Sequence, residues 1–489
     1  MKRTSPLQDL EIEMLALARA KLLGPNPKSD HSKFAVLDVL LMLDYEPLRE
    51  ETQELEDTLI QSHMRVMYSV LESRKHFRSG YSSEPLLAEA ACLQMYEWNR
   101  EAQKQDLNAD VQYNILSKVI TQSQLTDLGK VGELMGRDRF MKAYIRAVVK
   151  EQQNSEPRFS KGCLLTTLIR EMFVKDMATL ILTSFPDNVP RSRNAMDQII
   201  NPQSFQDAFK NAVVRITHFV KFADDSALSQ DALLYMYLRG AAIWCREGQD
   251  AVDIIIPVCM KPEQPRSEHM TAMFDQLKRK LRKSTPVRVE IDADTLHIFP
   301  TPTQECMIPY ISLVMELGVT SPPHDTPDVP TKYIPKRAAG EPDPTVVPQA
   351  KKPKNSRSSL EGATVGKPGM TNHPKAVHPR YAVFAYGCSN KVYADIHHSQ
   401  HQGYQRMLAT RRLLKDHPRS DERSLRVVKK NKPFFAGGED FFGWTRSQYL
   451  SEGNSENQNI QEERVVVGDD DGYETEAVND HPAPQERHN

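Results

Sequence analysis

The distribution of proline constrains this chain more than any other feature of its sequence. Of the 32 prolines in 489 residues, 11 lie between Pro322 and Pro374. Proline fixes the backbone φ angle and has no N–H to donate, so this density excludes regular helix and paired strands. We therefore predict an extended, Pro-rich linker over 321–375. It separates a folded part of the chain from a tail.

The segment before the linker has the periodicity of helices. From Pro6 to about Glu247, apolar residues recur every three or four positions, and Ser, Asp and Pro mark the starts of the periodic runs. The pattern predicts a multi-helix domain over 1–250. The expected helices are 7–23, 33–43, 50–76, 84–104, 109–121, 137–151, 161–184, 203–222 and 229–246.

The pattern changes over the next 70 residues. Residues 251–258 are β-branched and apolar and predict a buried strand, although so short a run is also compatible with a helix. Residues 267–283 have helical spacing, and residues 286–299 alternate as two strands. We predict a small strand–helix–hairpin unit over 251–320, packed on the helical domain. The fold class is therefore mainly α, with a small β-containing subdomain, a Pro-rich linker and a largely disordered tail.

The charge is strongly partitioned along the chain, although the total is only −2. Residues 1–350 carry 42 basic and 47 acidic side chains, residues 351–432 carry 18 and 5, and residues 433–489 carry 3 and 13. A basic block of this kind is typical of polyanion binding, because each cation held against a phosphate releases counterions. We predict a basic, partly ordered arm over 376–432 and an acidic, disordered tail over 433–489. A simply solvated tail is the other interpretation.

Several classes of protein are not expected. The six cysteines lie far apart without a CxxC pair, which argues against a disulfide scaffold or a zinc finger. No apolar run reaches the ~18 residues of a membrane span, and the N-terminus has no signal-peptide core. We therefore expect no membrane association and a cytoplasmic or nuclear location. The basic residues within 336–354 resemble a bipartite nuclear-import signal.

Catalytic and cofactor motifs are equally weak. Gly362–Pro368 approaches a phosphate loop but is one residue short and ends in proline where a magnesium-binding hydroxyl belongs. His397, His398 and His401 lie near Cys388 and Asp395 at zinc-like spacing, but a polar, His-rich segment explains them as well. We predict no enzyme activity, no catalytic residue, no cofactor and no metal.

Two basic clusters are the candidate nucleic-acid-binding residues. Each follows helical spacing, with apolar residues on the opposite side. For a single helix, a solvated surface is the alternative; two such clusters followed by a basic arm favour a polyanion groove. The first cluster is Arg139, Lys142, Arg146 and Lys150, and the second is Lys278, Arg279, Lys280, Arg282 and Lys283.

Large aromatic residues in the tail are the candidate partner-docking residues. Phe441, Phe442, Trp444 and Tyr449 lie within nine residues of an otherwise polar segment. Aromatic side chains are costly to leave in water, so we predict a peptide that docks on a protein partner. The alternative is that they pack back onto the folded domain.

One stretch of the chain resembles a known family. Arg139–Ile145, Pro157–Arg158 and Thr167–Thr183 are similar to the central helices of nucleoproteins of non-segmented negative-strand RNA viruses. The family's aromatic, glycine-containing segment resembles 379–387, which here follows the linker. The resemblance implies sequence-independent binding along single-stranded RNA, head-to-tail self-assembly, a phosphoprotein partner that reads the tail, and a place in the virion. The alternative from another class is an intracellular or nuclear adaptor whose helical domain and tail peptides bind proteins.

Overall fold

The computed structural model describes most of the chain before residue 410. The described residues are 6–43, 45, 50–70, 77–122, 130–153, 155–189, 202–222, 228–246, 252–279, 291–303, 306–318 and 376–409. The predicted linker, the predicted acidic tail and residues 410–432 of the predicted arm lie outside them.

The helices begin where the sequence supplies caps. Ser29, Asp110 and Ser229 each accept a backbone N–H of the turn that follows, which satisfies a donor that the helix itself leaves unpaired. A π-helical turn, Lys118–Gln122, continues the fifth helix. The helices are α1 (Pro6–Leu23), α2 (Asp30–Leu41), α3 (Glu50–Ser62), α4 (Pro85–Gln103), α5 (Val111–Ser117), α6 (Val131–Glu151), α7 (Leu165–Met172), α8 (Lys175–Leu182), α9 (Phe205–Ala208), α10 (Gln230–Arg239), α11 (Ala293–Leu296) and α12 (His401–Ala409).

The strands form two sheets. A small antiparallel ribbon pairs β1 (Val66–Val70) with β2 (Phe77–Gly80). The larger, eight-stranded sheet consists of β3 (Cys163–Leu164), β4 (Val213–Val214), β5 (His218–Lys221), β6 (Ala241–Trp244), β7 (Ile254–Cys259), β8 (Met270–Lys278), β9 (Tyr310–Glu316) and β10 (Arg380–Tyr386). Its order is β10-β9-β8-β7-β4-β3, and β6 joins β5 to β7. The β8–β9, β9–β10 and β5–β6 pairs are parallel.

The larger sheet is buried on both faces. Along β7, Ile254, Ile256 and Val258 belong to one apolar cluster, whereas Ile255 and Cys259 belong to another. Helix α6 packs on the first face and α10 on the second. A strand that is covered on both sides has no polar face, and for that reason 251–258 is a continuous apolar run in the sequence.

The prediction of helices combined with a β-containing part is confirmed at that level, but several segments were assigned to the wrong element. Residues 50–76 are helical only to Ser62 and continue as β1; 161–184 is β3, α7 and α8; 203–222 is α9, β4 and β5; 229–246 ends as a helix at Arg239 and continues as β6; and 267–283 contains strand β8. Gly240 explains one of these ends, because its left-handed backbone caps α10 and turns the chain into β6.

The predicted small unit over 251–320 is not a separate structure. Its strands β7, β8 and β9 lie between β4 on one side and β10, from the predicted arm, on the other. Of the predicted hairpin over 286–299, residues 293–296 form α11 and residues 286–290 lie outside the described part. The segment 376–409 is thus part of the fold.

Candidate functional site

Helix α6 buries half of the first basic cluster. Arg139 is fully buried and Lys142 is only 6% exposed, whereas Arg146 and Lys150 reach the surface. Arg139 and Lys142, two of the four residues predicted to bind nucleic acid on a shared face of this helix, are therefore not on an accessible face. The physical reason is that α5 and the segment 388–409 cover this side of the helix.

The two buried cations are held by carboxylates from distant parts of the chain. Arg139 pairs with the neighbouring Asp138 and, through Nη1 at 2.6 Å, with Asp395. Burial alone would lower the pKa of Arg139, but Asp395 and the other anionic neighbours outweigh it, so the pKa is raised and the guanidinium stays charged.

Lys142 is held in the same way. Its ammonium pairs with Asp110, the N-cap of α5, and donates to the Tyr404 hydroxyl of α12 at 2.8 Å. Burial opposes the charged form, but the carboxylates of Asp110 and Asp138 outweigh burial and raise the pKa of Lys142. Lys142 in turn holds the pKa of Asp110 below its ordinary value, although burial would raise it. We call these ion pairs and hydrogen bonds the clamp, which consists of Arg139 and Lys142 with Asp110, Asp138, Asp395 and Tyr404.

A cleft of about 680 Å³ lies directly beside this clamp. We call it the α4–α6 cleft. One wall is the C-terminal half of α4 with the chain leading to α5, the second is the C-terminal half of α6, and the third is the segment 394–400. Gln400 ties the third wall to the first, since its Nε2 lies 3.4 Å from Asp110 Oδ2.

The rim of the α4–α6 cleft carries three cations. Arg146 and Lys150 both contact Glu171 of α7, at 2.9 Å and 2.6 Å. Burial would raise the pKa of Glu171, but its hydrogen bonds and charge contacts with these two residues lower it. Arg100 is exposed on α4, and its guanidinium lies 5.5 Å from the ring centre of Tyr96. Over the whole lining of the cleft, the four cations (with Lys142) and the three carboxylates of Asp110, Glu171 and Asp395 leave a net charge of +1.

The second basic cluster is only partly within the described residues. Lys278 ends strand β8, and Arg279 follows it and donates from Nε to the Leu408 carbonyl at 2.6 Å. Arg279 also lies against Gly132 in the first turn of α6, whereas the first cluster occupies the middle and the C-terminal part of that helix. Lys280, Arg282 and Lys283 lie outside the described part of the chain, as do Phe441, Phe442, Trp444 and Tyr449.

A serine–histidine pair elsewhere has the contacts of a nucleophile and base but not their chemistry. Ser83 Oγ lies 2.8 Å from His218 Nε2, and His218 Nδ1 faces the Thr217 hydroxyl at 3.1 Å. A carboxylate, which would stabilise a protonated imidazole, is replaced here by that hydroxyl. Burial, with a smaller contribution from Arg239, lowers the pKa of His218 to about 4, which makes it a weak base at neutral pH. We infer that the pair has a structural role, in which its hydrogen bond connects the start of α4 to β5.

Sequence reasoning missed the third wall of the cleft and the contribution of α4. Nothing in the local spacing links Asp395 or Tyr404 to α6, because each meets its partner only through the tertiary fold. The His-rich segment has zinc-like spacing in the sequence, but among the described residues no group of three or more His, Cys, Asp and Glu is placed to hold a metal ion. Within the same residues, no helix has the length and apolar character needed to cross a membrane.

Comparison of the chain with protein-family models, with curated proteins and with solved structures gives no match.

Proposed function

We propose that this chain is a structural nucleic-acid-binding protein of the nucleoprotein or capsid type, and that it holds single-stranded RNA in the α4–α6 cleft. The observation that carries the proposal is the convergence of Arg100, Arg146 and Lys150 on one cleft. Exposed cations at a concave surface attract phosphates and release their counterions.

The lining of the cleft suits RNA in other respects. Amide side chains that can donate to phosphate, ribose or base lie around it: Asn99, Gln103, Asn108 and Gln153. Tyr96 offers an aromatic ring beside Arg100, and such pairs stack on unpaired bases without sequence preference. In this proposal Arg139 and Lys142 position the walls and do not touch RNA.

The test is a salt series with a charge-neutral triple variant. Arg100→Gln, Arg146→Gln and Lys150→Gln together should reduce the slope of log affinity against log salt by about 0.7 for each phosphate that the variant no longer neutralises. A matched control replaces three exposed cations outside the cleft, Lys28, Lys261 and Arg266, with glutamine. An unchanged slope in the first variant, or an equal change in both, would contradict the proposal.

The remaining features of this function are proposals of the same kind. They comprise self-association into a coat, an extended Pro-rich linker over 321–375, a largely disordered tail over 433–489 that docks a protein partner, and a cytoplasmic or nuclear location, or the virion. The acidic tail suits a protein partner better than phosphate, because like charges repel.

The adaptor function is the second candidate, and one observation favours it. Val66, Met67, Tyr68 and Val70 of β1 are each about half exposed, which is unusual for consecutive apolar residues and typical of protein-binding surfaces. An adaptor would bind its partner with little dependence on salt, so the same salt series separates the two functions.

A further inference from the structure

The three carboxylates that line the α4–α6 cleft are not equivalent. Two of them, Asp110 and Asp395, belong to the clamp, where each pairs with a buried cation. The third, Glu171 of α7, pairs with Arg146 and Lys150 on the rim. Glu171 is therefore the carboxylate of this lining whose contacts use the same cations that the proposed function gives to RNA.

Glu171 holds these two cations as a phosphate would hold them. Its Oε2 accepts from Nη2 and Nε of Arg146 at 2.9 Å and 3.2 Å, and its Oε1 accepts from Lys150 Nζ at 2.6 Å. Both carboxylate oxygens are thus bound by cations that lie one turn apart on α6. Two oxygens of a phosphate would fit the same donors, because arginine binds carboxylates and phosphates with one geometry.

We propose that Glu171 is an internal competitor for phosphate. Its carboxylate occupies the phosphate position of the α4–α6 cleft in the ligand-free protein and is displaced when the ligand binds. The inference rests on the proposed function for the identity of the ligand as RNA, whereas the exchange itself requires only a phosphate group.

The exposure of the three side chains permits this exchange. Those of Arg146 and Lys150 are 37% and 55% exposed, so a phosphate reaches both from solvent. Ion pairs with such exposed members contribute little to stability, and the Glu171 contacts are therefore replaced at small cost. The clamp differs in this respect, since its cations are buried and no ligand reaches them.

An internal competitor selects for ligands that carry many phosphates. A carboxylate attached to the same chain has a high effective concentration at the two cations, so a single free phosphate competes with it poorly. A strand of RNA presents phosphates in series and keeps one of them near the cations while its neighbours are bound elsewhere in the cleft. Glu171 thus lowers the affinity for small phosphate compounds more than the affinity for a polynucleotide.

The first test is the affinity for an unstructured oligouridylate at fixed salt. Glu171→Gln preserves the shape of the side chain and removes its charge, and it should tighten binding about 5- to 30-fold, the factor that corresponds to about 1–2 kcal/mol. The matched control is Glu97→Gln, because Glu97 pairs with Arg19 through both oxygens and does not line the cleft. The control should stay within about twofold of wild type, since distant charges are screened.

A double-variant cycle connects the gain to the two rim cations. In a background of Arg146→Gln and Lys150→Gln, the further change Glu171→Gln should leave the affinity unchanged, because the cations for which the carboxylate competes are absent. Equal tightening by Glu97→Gln would overturn the proposal. It would also be overturned by an unchanged affinity of Glu171→Gln when the wild-type protein binds oligouridylate.

Inorganic pyrophosphate tests the exchange without RNA. A ligand that binds only the folded state raises the melting temperature, so pyrophosphate should stabilise Glu171→Gln more than the wild-type protein. It should not stabilise the variant that also lacks both rim cations to the same extent, and equal shifts in all three proteins would overturn the proposal. If pyrophosphate gives the expected order but no variant binds oligouridylate, the RNA-binding function fails and the role of Glu171 stands. If neither ligand responds to Glu171→Gln, both proposals fail.

Discussion

Replacing Lys142 with methionine removes a buried charge while preserving the length of the side chain. In the folded protein the Lys142 side chain is 7% exposed and the side chain of its partner Asp110 is 16% exposed. Removing one member of a buried ion pair costs about 3–5 kcal/mol, because the other charge stays behind uncompensated. Asp110 keeps the N–H of Tyr113 at 2.9 Å and some contact with water. We therefore expect Lys142→Met to lower the free energy of unfolding by about 2–3 kcal/mol, at or just below the lower end of that range.

The loss should depend on pH in a defined direction. The pKa of Asp110 in the wild-type fold lies below its ordinary value of 3.8. The stability it contributes is therefore complete above about pH 4 and disappears as the pH falls through the lowered pKa. Without Lys142 the pKa of Asp110 rises, because the largest of the contributions that oppose burial is removed and only the Tyr113 N–H and the charge of Arg139 remain. The difference between wild type and Lys142→Met should be largest at neutral pH and should shrink below about pH 3.

A double variant distinguishes the effect of the unbalanced charge from the effect of altered packing. Adding Asp110→Asn to Lys142→Met removes the uncompensated carboxylate and keeps the cap of α5, since asparagine caps a helix about as well as aspartate. We expect the double variant to recover to within about 1 kcal/mol of wild type. Urea unfolding at pH 7 and pH 3 measures all three proteins. A single variant within about 0.5 kcal/mol of wild type would show that Lys142 faces water, as its spacing in the sequence suggested.

Three further predictions address other parts of the molecule. The pKa of His218 is about 4 in the fold and about 6.5 in the unfolded chain, so between these two pH values the unfolded chain binds one more proton than the folded protein. The free energy of unfolding should therefore fall by up to about 3 kcal/mol as the pH drops from 6.5 to 4. In acid titrations of stability, His218→Gln should remove that part of the decrease. On an open helix Gly136→Ala would stabilise the protein by about 1 kcal/mol, but here it should destabilise by about 1–3 kcal/mol because the new Cβ overlaps the Leu277 side chain. Adding Leu277→Ala should relieve this clash, as measured by urea unfolding of the double variant. A stabilised Gly136→Ala protein would contradict the close packing. Trp444→Ala with Phe441→Ala should abolish recruitment of a tail partner in a pull-down, at about 2 kcal/mol or more per aromatic anchor, while a lowered melting temperature of the protein would contradict a role confined to docking.

Three of the helices that could be predicted from the sequence have a local cap at their start. For α2, α4 and α5, the periodicity and the residues before the first turn are sufficient. Strand β8 was assigned to a helix because six of its residues are buried on alternating faces, so its apolar run has no period of two, and its basic end follows helical spacing. The end of α10 was predictable in principle, since Gly240 is a typical left-handed cap.

The candidate site could be predicted only in part, for a physical reason. Arg146 and Lys150 are cations on a helix surface, and their spacing correctly indicates that they share a side. Arg139 and Lys142 have the same spacing but are buried, because their compensating carboxylates come from Asp110 and Asp395. A surface cation and a buried, paired cation look alike in a local pattern, and only the tertiary partner distinguishes them.

The parallel pairing of β9 with β10 has a consequence for synthesis of the protein on the ribosome. Glu316 pairs with Tyr386, so 70 residues must be added after the last residue of β9 before its partner strand is complete. At about 5–20 residues per second, translation takes about 4–14 s over that interval. During that time the hydrogen-bonding edge of β9 is open, and Arg139 still lacks Asp395. The nascent chain is therefore most prone to aggregate in this interval, and a holding chaperone that recognises exposed strand edges would be needed most between residues 316 and 409.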